Sequence, residues 1–475
     1  MADELFYRAK HARTGDVIPK YLDGAYRLFY LKSYKKEAGA SAENGWYRMD
    51  TTDLLHMSEE VRTKVQGGTG DVIFYRGEYH LFSCIFPEGS QLITHYVSED
   101  GTLDHWRQIK EDTFGPDGVI YHLSDWRDPR ILYREDLGEF WMLMAARRNA
   151  GHSLTGCVGL CVSKDLKHWE YREPFYAPMR FHGALECPDY FIMGQWEYLV
   201  FSSYTTLFGN YYVKRRIGQK NWEIPANHRL DSRAFYAAKT ASDGQKRYLF
   251  GWNPEKEEDL FGFWPSKMKA KDYRTWDWGG NLVIHRLDQK ENGDLKLSFP
   301  ESREVFFQEK TENTYKPITQ YIQYHGGSVM TEERQEQQMM LMQELPESYE
   351  LEVTIVMKNA EDATIALQVT EEMKEGYYLV VEPKRGRLLF RSWLRMSEEG
   401  GKTFPYDVEL EAPIDIPADG IYKCKILVED SVGTAYVNDE TALSFRMYDL
   451  AGRHLGLCAM GKVNFENIRL YTVGK

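Results

Sequence analysis

The sequence predicts an all-β chain, a five-bladed β-propeller followed by a C-terminal β-sandwich. Three observations predict it. One phrase recurs five times in the first 280 residues, a second phrase alternates with it, and both stop near residue 305, where a run of short strands begins. The 475 residues are too many for one ordinary domain. A 43% hydrophobic share is ample for a large core, and 32 Tyr and 12 Trp suit both strands and sugar-stacking surfaces.

The first phrase is an acidic residue, a short apolar run, a turn and a strand rich in Tyr, Phe and Leu. It appears around Asp16, Asp71, Asp128, Glu186 and Asp231, at intervals of 55, 57, 58 and 45 residues. The second phrase reads TTDLLHM at 51–57, SEDGTLDHW at 98–106, SKDLKHW at 163–169, GQKNW at 218–222 and KDYRTW at 271–276. Turn pairs such as Asp23-Gly24, Arg76-Gly77 and Asp243-Gly244 punctuate short strands of period two, which excludes a helical solenoid. A repeat of four short strands is a propeller blade.

If the first phrase opens the innermost strand of each blade, the five acids converge at one mouth of a channel. Some of them are then expected only to cap strand ends, Asp71 and Asp231 foremost. The rest support glycoside cleavage, which needs one protonated and one ionised carboxyl group. Asp128 follows Arg127, whose charge holds a carboxylate ionised. Glu186 lies between Leu185 and Cys187, and apolar surroundings raise a carboxyl pKa, as a general acid requires. Gly15 leaves room in front of Asp16, which suits a nucleophile. The residues alone leave the sugar, and retention or inversion, open.

Composition excludes other classes. The net charge of −13 and the lack of a basic run exclude a nucleic-acid partner. No run of about 18 apolar residues could span a membrane. The N-terminus has no apolar signal core, so the chain is read as cytoplasmic. Cys157 and Cys161 are four apart, but no second pair completes a zinc site, so neither metal nor cofactor is expected.

WRDPRIL at 126–132 and ECPDYF at 186–191 resemble the Arg-Asp-Pro and Glu-Cys-Pro motifs of glycoside hydrolase family 32, the invertases, inulinases and levanases. Trp46, seven residues before Asp53, FYAA at 235–238, Gly251-Trp252 and TWDWGGNLVIHRL at 275–287 resemble further segments of that family. The resemblance implies a retaining hydrolase of terminal β-D-fructofuranosyl residues of sucrose, fructo-oligosaccharides or fructans. It implies Asp16 as nucleophile, Glu186 as general acid/base and Asp128 as transition-state stabiliser, with Trp46, Arg127 and Tyr236 lining the sugar subsite. Asp71 is carried as a further sugar-binding candidate, fixing the second blade being its alternative. Retention implies that Asp16 and Glu186 lie about 5–5.5 Å apart. The N-terminal motif departs from the family: Thr14-Gly15-Asp16-Val17 keeps the Asp but lacks the Trp, both Asn and the following Pro of Trp-Met-Asn-Asp-Pro-Asn-Gly. The reaction class survives that change better than the identity of the sugar.

The catalytic propeller is expected over 1–305, a linker over 306–320 and the sandwich over 321–475. SVGTAYVNDETALSFRMY and MGKVNFENIRLY resemble the sandwich that follows the propeller in family 32. That sandwich is read as a buttress of the propeller or a homodimer contact. Two rival functions stand beside the first: an α-L-arabinofuranosidase or β-xylosidase of the propeller type, and a carbohydrate-binding propeller without catalysis.

Overall fold

The computed structural model describes residues 4–10, 12–34, 44–206, 208–256, 272, 276–393, 410–449 and 452–473. The chain is all-β: among the described residues the helical pieces are two short 3₁₀ turns, Glu301–Phe306 and Pro383–Arg385. It divides into two compact units. The first comprises Met1–His228, Phe235–Pro254 and Trp278–Asp294; the second comprises Arg229–Ala234, Glu255–Asp277 and Leu295–Lys475.

In the first unit, strands Gly70–Tyr75, Glu78–Ile85, Leu92–Ser98 and Trp106–Phe114 form one antiparallel sheet in chain order. Strands Tyr121–Arg134, Glu139–Arg148, Gly156–Ser163 and Glu170–Tyr176 form the next. Glu186–Met193, Trp196–Ser203 and Gly209–Arg216 pair in the same way. The first repeat does not stand alone. Its strand Ala12–Leu22 meets Trp276–Gln289 at Thr14 and Gly280, so the first and fifth repeats share a continuous sheet. The fifth copy of the second phrase, 271–276, lies mostly outside the described residues.

The first strands of the repeats share a defect. Between Gly15 and Ile18, Arg127 and Arg130, Glu186 and Asp189, and Tyr236 and Lys239, each strand carries one residue more than its partner. The residue that opens each bulge has a positive φ: Asp16 (45°), Asp128 (58°), Cys187 (47°) and Ala237 (53°). Such a conformation costs a non-glycine residue about 1–3 kcal/mol, and bulges re-aim side chains beside active sites. Strand Gly70–Tyr75 pairs without a bulge.

Buried carboxylates tie these strands in sequence. Asp71 accepts the backbone N–H of Ile131 (3.0 Å), Asp128 that of Cys187 (3.0 Å) and Asp189 that of Thr240 (2.7 Å). Each tie satisfies a buried donor that would otherwise cost about 1–3 kcal/mol.

The second unit contains two sheets whose inner faces share one core. Tyr349, Leu351, Ile426 and Phe465 from one sheet pack with Ile365, Leu379, Phe390 and Leu457 from the other. Phe390 stacks on Phe445 across the gap at 4.2 Å between ring centroids. The hairpin expected at Asn438-Asp439 turns there, both residues having positive φ as a type I′ turn demands.

Within the stretch 306–320, Phe307–Lys310 pairs with the final strand, and Tyr315–Pro317 with Gln338–Glu344. The compact units part at Asp294, before residue 305. The polar residues that suggested a linker are the exposed face of edge strands, where period two leaves every other side chain in water.

Candidate active site

The bulges determine what points where. One residue before each bulge come Gly15, Arg127, Glu186 and Tyr236; opening it come Asp16, Asp128, Cys187 and Ala237. Three acids from three repeats thereby lie close enough for their charges to act on Asp16 and Glu186. Burial, then the charge of Asp128, pushes the Asp16 carboxyl up to about 7, Glu186 adding to the push. Burial and Asp128 also raise the pKa of Glu186. Like charges crowded out of water resist joint ionisation.

Each acid is held. Asp16 accepts the indole N–H of Trp252 at 3.0 Å. Asp128, 6% exposed, is fixed by Cys187 N–H. Glu186 is clamped from both sides: Arg127 donates to Oε1 at 2.9 Å and the Tyr236 hydroxyl to Oε2 at 2.6 Å. Arg127 is itself oriented by Asp125 and by Gln91, whose Oε1 lies 3.1 Å from Nη1. Tyr236 stacks on Phe208 with ring centroids 4.1 Å apart. Gly15 is required by its neighbour. A Cβ there would lie 2.4 Å from the Trp278 indole, so the close approach of that ring to the Asp16 strand exists only with glycine.

Asp16, Asp128, Glu186, Arg127 and Tyr236 are therefore brought together. Two sugar-binding candidates lie elsewhere. Trp46 is fully buried, with its indole N–H donated to the Gly68 carbonyl at 2.9 Å, and it packs with Phe29, Val65 and Leu81. It is a core residue. Asp71 is 1% exposed and both of its oxygens are taken: Oδ2 by Arg130 and Ile131 N–H, Oδ1 by Lys20 and Val72 N–H. Its partners hold the carboxyl near 2. Asp231 belongs to the second unit, where it accepts from Ser444.

Sequence reasoning missed Trp252 as a partner of Asp16, and Asp125 and Gln91 as supports of Arg127. Asp125 had a signal, since it lies two residues before Arg127 on the same strand face. Gln91 comes from another sheet and had none. Among the described residues no group of His, Cys, Asp and Glu is arranged to hold a metal. All six cysteines are buried free thiols. Among the described residues no helix is long and apolar enough to cross a membrane.

Three held carboxyl groups brought close together, two of them raised, have the chemistry that glycoside cleavage requires. Comparison with known proteins agrees. Residues 91–271 match the model of the glycosyl hydrolases family 32 N-terminal domain. The chain is 24% identical to raffinose invertase of Escherichia coli, over 92% of this chain and 88% of that one. It is 23% identical to sucrose-6-phosphate hydrolase of Escherichia coli over 70% of this chain, spanning 62% of that relative's length. Among solved structures it resembles exo-inulinase from Aspergillus awamori, with a TM-score of 0.72 at 13% identity, over 100% of this chain and 98% of that one. It also resembles sucrose-6-phosphate hydrolase from Lactobacillus gasseri, with a TM-score of 0.67 at 14% identity, over 98% and 93%. The similarity to family 32 thus runs from a match of its N-terminal domain over 91–271 to a likeness in fold over the whole chain.

Proposed function

We propose that this protein is a retaining β-fructofuranosidase, which releases terminal β-D-fructofuranosyl residues from sucrose, fructo-oligosaccharides or fructans. The observation that carries the reading is the double clamp on Glu186 within reach of Asp16 and Asp128. The names of the relatives, raffinose invertase and sucrose-6-phosphate hydrolase, support the fructoside.

In the proposed mechanism Asp16 attacks the anomeric carbon in its ionised form. Glu186 delivers its proton to the leaving oxygen, then takes one from the water that releases fructose. Arg127 and Tyr236 hold the Glu186 carboxyl in one orientation through both steps. Asp128 is fixed by Cys187 N–H on one oxygen, which leaves the other for the fructosyl hydroxyls. The first strands are tied successively by Lys20–Asp71, Asp71–Ile131, Asp128–Cys187 and Asp189–Thr240, and Trp252–Asp16 returns to the start. That cyclic order supports a closed five-bladed propeller. The free thiols support a reducing compartment, the cytoplasm.

The test is to incubate the protein with sucrose, sucrose 6-phosphate, kestose, inulin and levan and to quantify free fructose beside a Glu186→Gln variant. Fructose release that falls about 10²–10⁴-fold in the variant is expected. Release that survives the substitution removes Glu186 from the mechanism. Release from nitrophenyl arabinofuranoside alone overturns the fructoside.

A further inference from the structure

The clamp on Glu186 works against the chemistry asked of it. Its carboxyl accepts a hydrogen bond on each oxygen, from Arg127 at 2.9 Å and from the Tyr236 hydroxyl at 2.6 Å. Two donors, one of them a full cation, favour the ionised form. The proposed reaction begins with the same carboxyl protonated. The hold of the cation has to be weakened without losing the geometry that it imposes.

The other side of the guanidinium meets that need. Nη2 of Arg127 donates to Glu186, while Nη1 donates to Asp125 at 2.5 Å. Asp125 and Arg127 lie two apart on strand Tyr121–Arg134, so their side chains share a face. The cation therefore lies between two carboxyl groups that are both largely shielded from water, with side chains 12% and 21% exposed. Arg147 does not compete for Asp125. Its Nε lies 3.8 Å away and donates to Thr155 at 2.9 Å. Orientation of Arg127 needs no charge at position 125, because the same Nη1 also donates to the neutral Oε1 of Gln91 at 3.1 Å. Gln91 is in turn fixed by the Trp126 N–H at 2.9 Å. What Asp125 adds is negative charge.

We propose that Asp125 is a positioning residue for the reaction: its carboxylate takes one arm of the Arg127 guanidinium and divides the charge of that cation, so that Glu186, on the other arm, is held in place yet keeps the proton it delivers to the leaving oxygen. The inference rests on the proposed role of Glu186 as general acid. Facing Glu186 are Arg127, Asp16, Asp128, the Cys187 thiol and the Tyr204 and Tyr236 hydroxyls. Facing Asp125 are Arg127, Arg147, the Tyr204 hydroxyl and the Cys157 thiol. Arg127 is also faced by Asp128 and the Cys84 thiol. Of these groups Arg127 is the one bonded directly to both carboxyl groups. A neutral side chain at 125 would leave the whole cation to Glu186, and in a site shielded from water that attraction favours the ionised carboxylate.

The deciding experiment is the pH profile of kcat/KM, on the fructoside cleaved fastest, for wild type, Asp125→Asn and Asp125→Asn combined with Gln91→Glu. Asparagine keeps an oxygen for Arg127 and removes only the charge. The alkaline limb, where the general acid loses its proton, is expected to move down by about one pH unit, a roughly tenfold loss of kcat/KM on that limb. The double variant returns a carboxylate to the same guanidinium nitrogen, and its limb is expected to move back toward wild type. A folded Asp125→Asn protein with the wild-type limb, or with an equal loss at every pH, overturns the proposal in favour of orientation alone. A folded double variant whose limb stays displaced overturns it as well; if the double variant does not fold, the single one decides. An Asp125→Asn protein that does not fold also overturns it, in favour of a purely structural ion pair. If wild type cleaves no fructoside, the functional reading has failed. The Asp125 effect is then read from the ¹³C carboxyl titration of Glu186, assigned with Glu186→Gln. A midpoint equal in wild type and Asp125→Asn rejects the effect, and a lower one in the variant sustains it.

Discussion

Strand Gly70–Tyr75 and strand Tyr121–Arg134 open with the same sequence phrase and place their acids in different worlds. Asp71 sits on a regularly paired strand, is sealed from water and is engaged by four partners. Asp128 opens a bulge at positive φ and stands beside two other acids. The difference is one inserted residue. A regular strand keeps its acid in the interstrand network, where cations and backbone donors hold it ionised. A bulge turns the side chain out of that network and toward the acids of neighbouring repeats. The recurring acid is therefore a structural device that the bulge converts into a chemical one.

Four substitutions sharpen or break this contrast, in falling order of expected effect. Asp16→Asn is expected to lower kcat for fructose release by at least about 10³-fold, as loss of a nucleophile does. The same variant is expected to be more stable than wild type. A carboxyl raised from 3.8 to about 7 on folding is more readily ionised in the unfolded chain, so it costs nothing at pH below 4 and progressively destabilises as pH rises to 7. The gain should be roughly 2–4 kcal/mol at pH 8 and much smaller at pH 5, by denaturant melts at both values. An equal gain at both would show that Asp16 is not buried among like charges.

Asp71→Asn is expected to do the reverse. It strands Arg130 and Lys20 without their shared partner, at about 3–5 kcal/mol of stability, while the KM of protein that remains folded stays near wild type. A raised KM at unchanged stability would return Asp71 to the sugar. Gly15→Ala drives a methyl group into the Trp278 ring, and an overpacking loss of about 1–3 kcal/mol is expected together with a fall in kcat/KM. Tyr236→Phe removes a donor that favours ionised Glu186. The alkaline limb of kcat/KM, where the general acid loses its proton, is expected to shift upward, with a rate loss of about tenfold or less.

Much of the fold was legible in the sequence. Alternating apolar residues, turn pairs and two interleaved phrases sufficed for the all-β order and for strands such as Gly376–Glu382 in the second unit. The paired edge strands at 307–317 were not legible, because an edge strand bound on one side and wet on the other has the composition of a linker. Asp16, Asp128 and Glu186 were singled out by phrase and motif, and the structure brings them near one another. A tryptophan reads alike in sequence whether it stacks on a sugar or fills a core, and only the structure gives the burial of Trp46 and its bond to Gly68.

By itself the sequence determined the all-β class of the chain, because that follows from local pattern and short-range spacing. The tertiary structure alone decided which acids face one another, since a bulge is defined by the partner strand as much as by its own residues. It also decided which charges neutralise each other across sheets, because Coulombic pairing depends on distances between residues as far apart in sequence as Asp71 and Arg130.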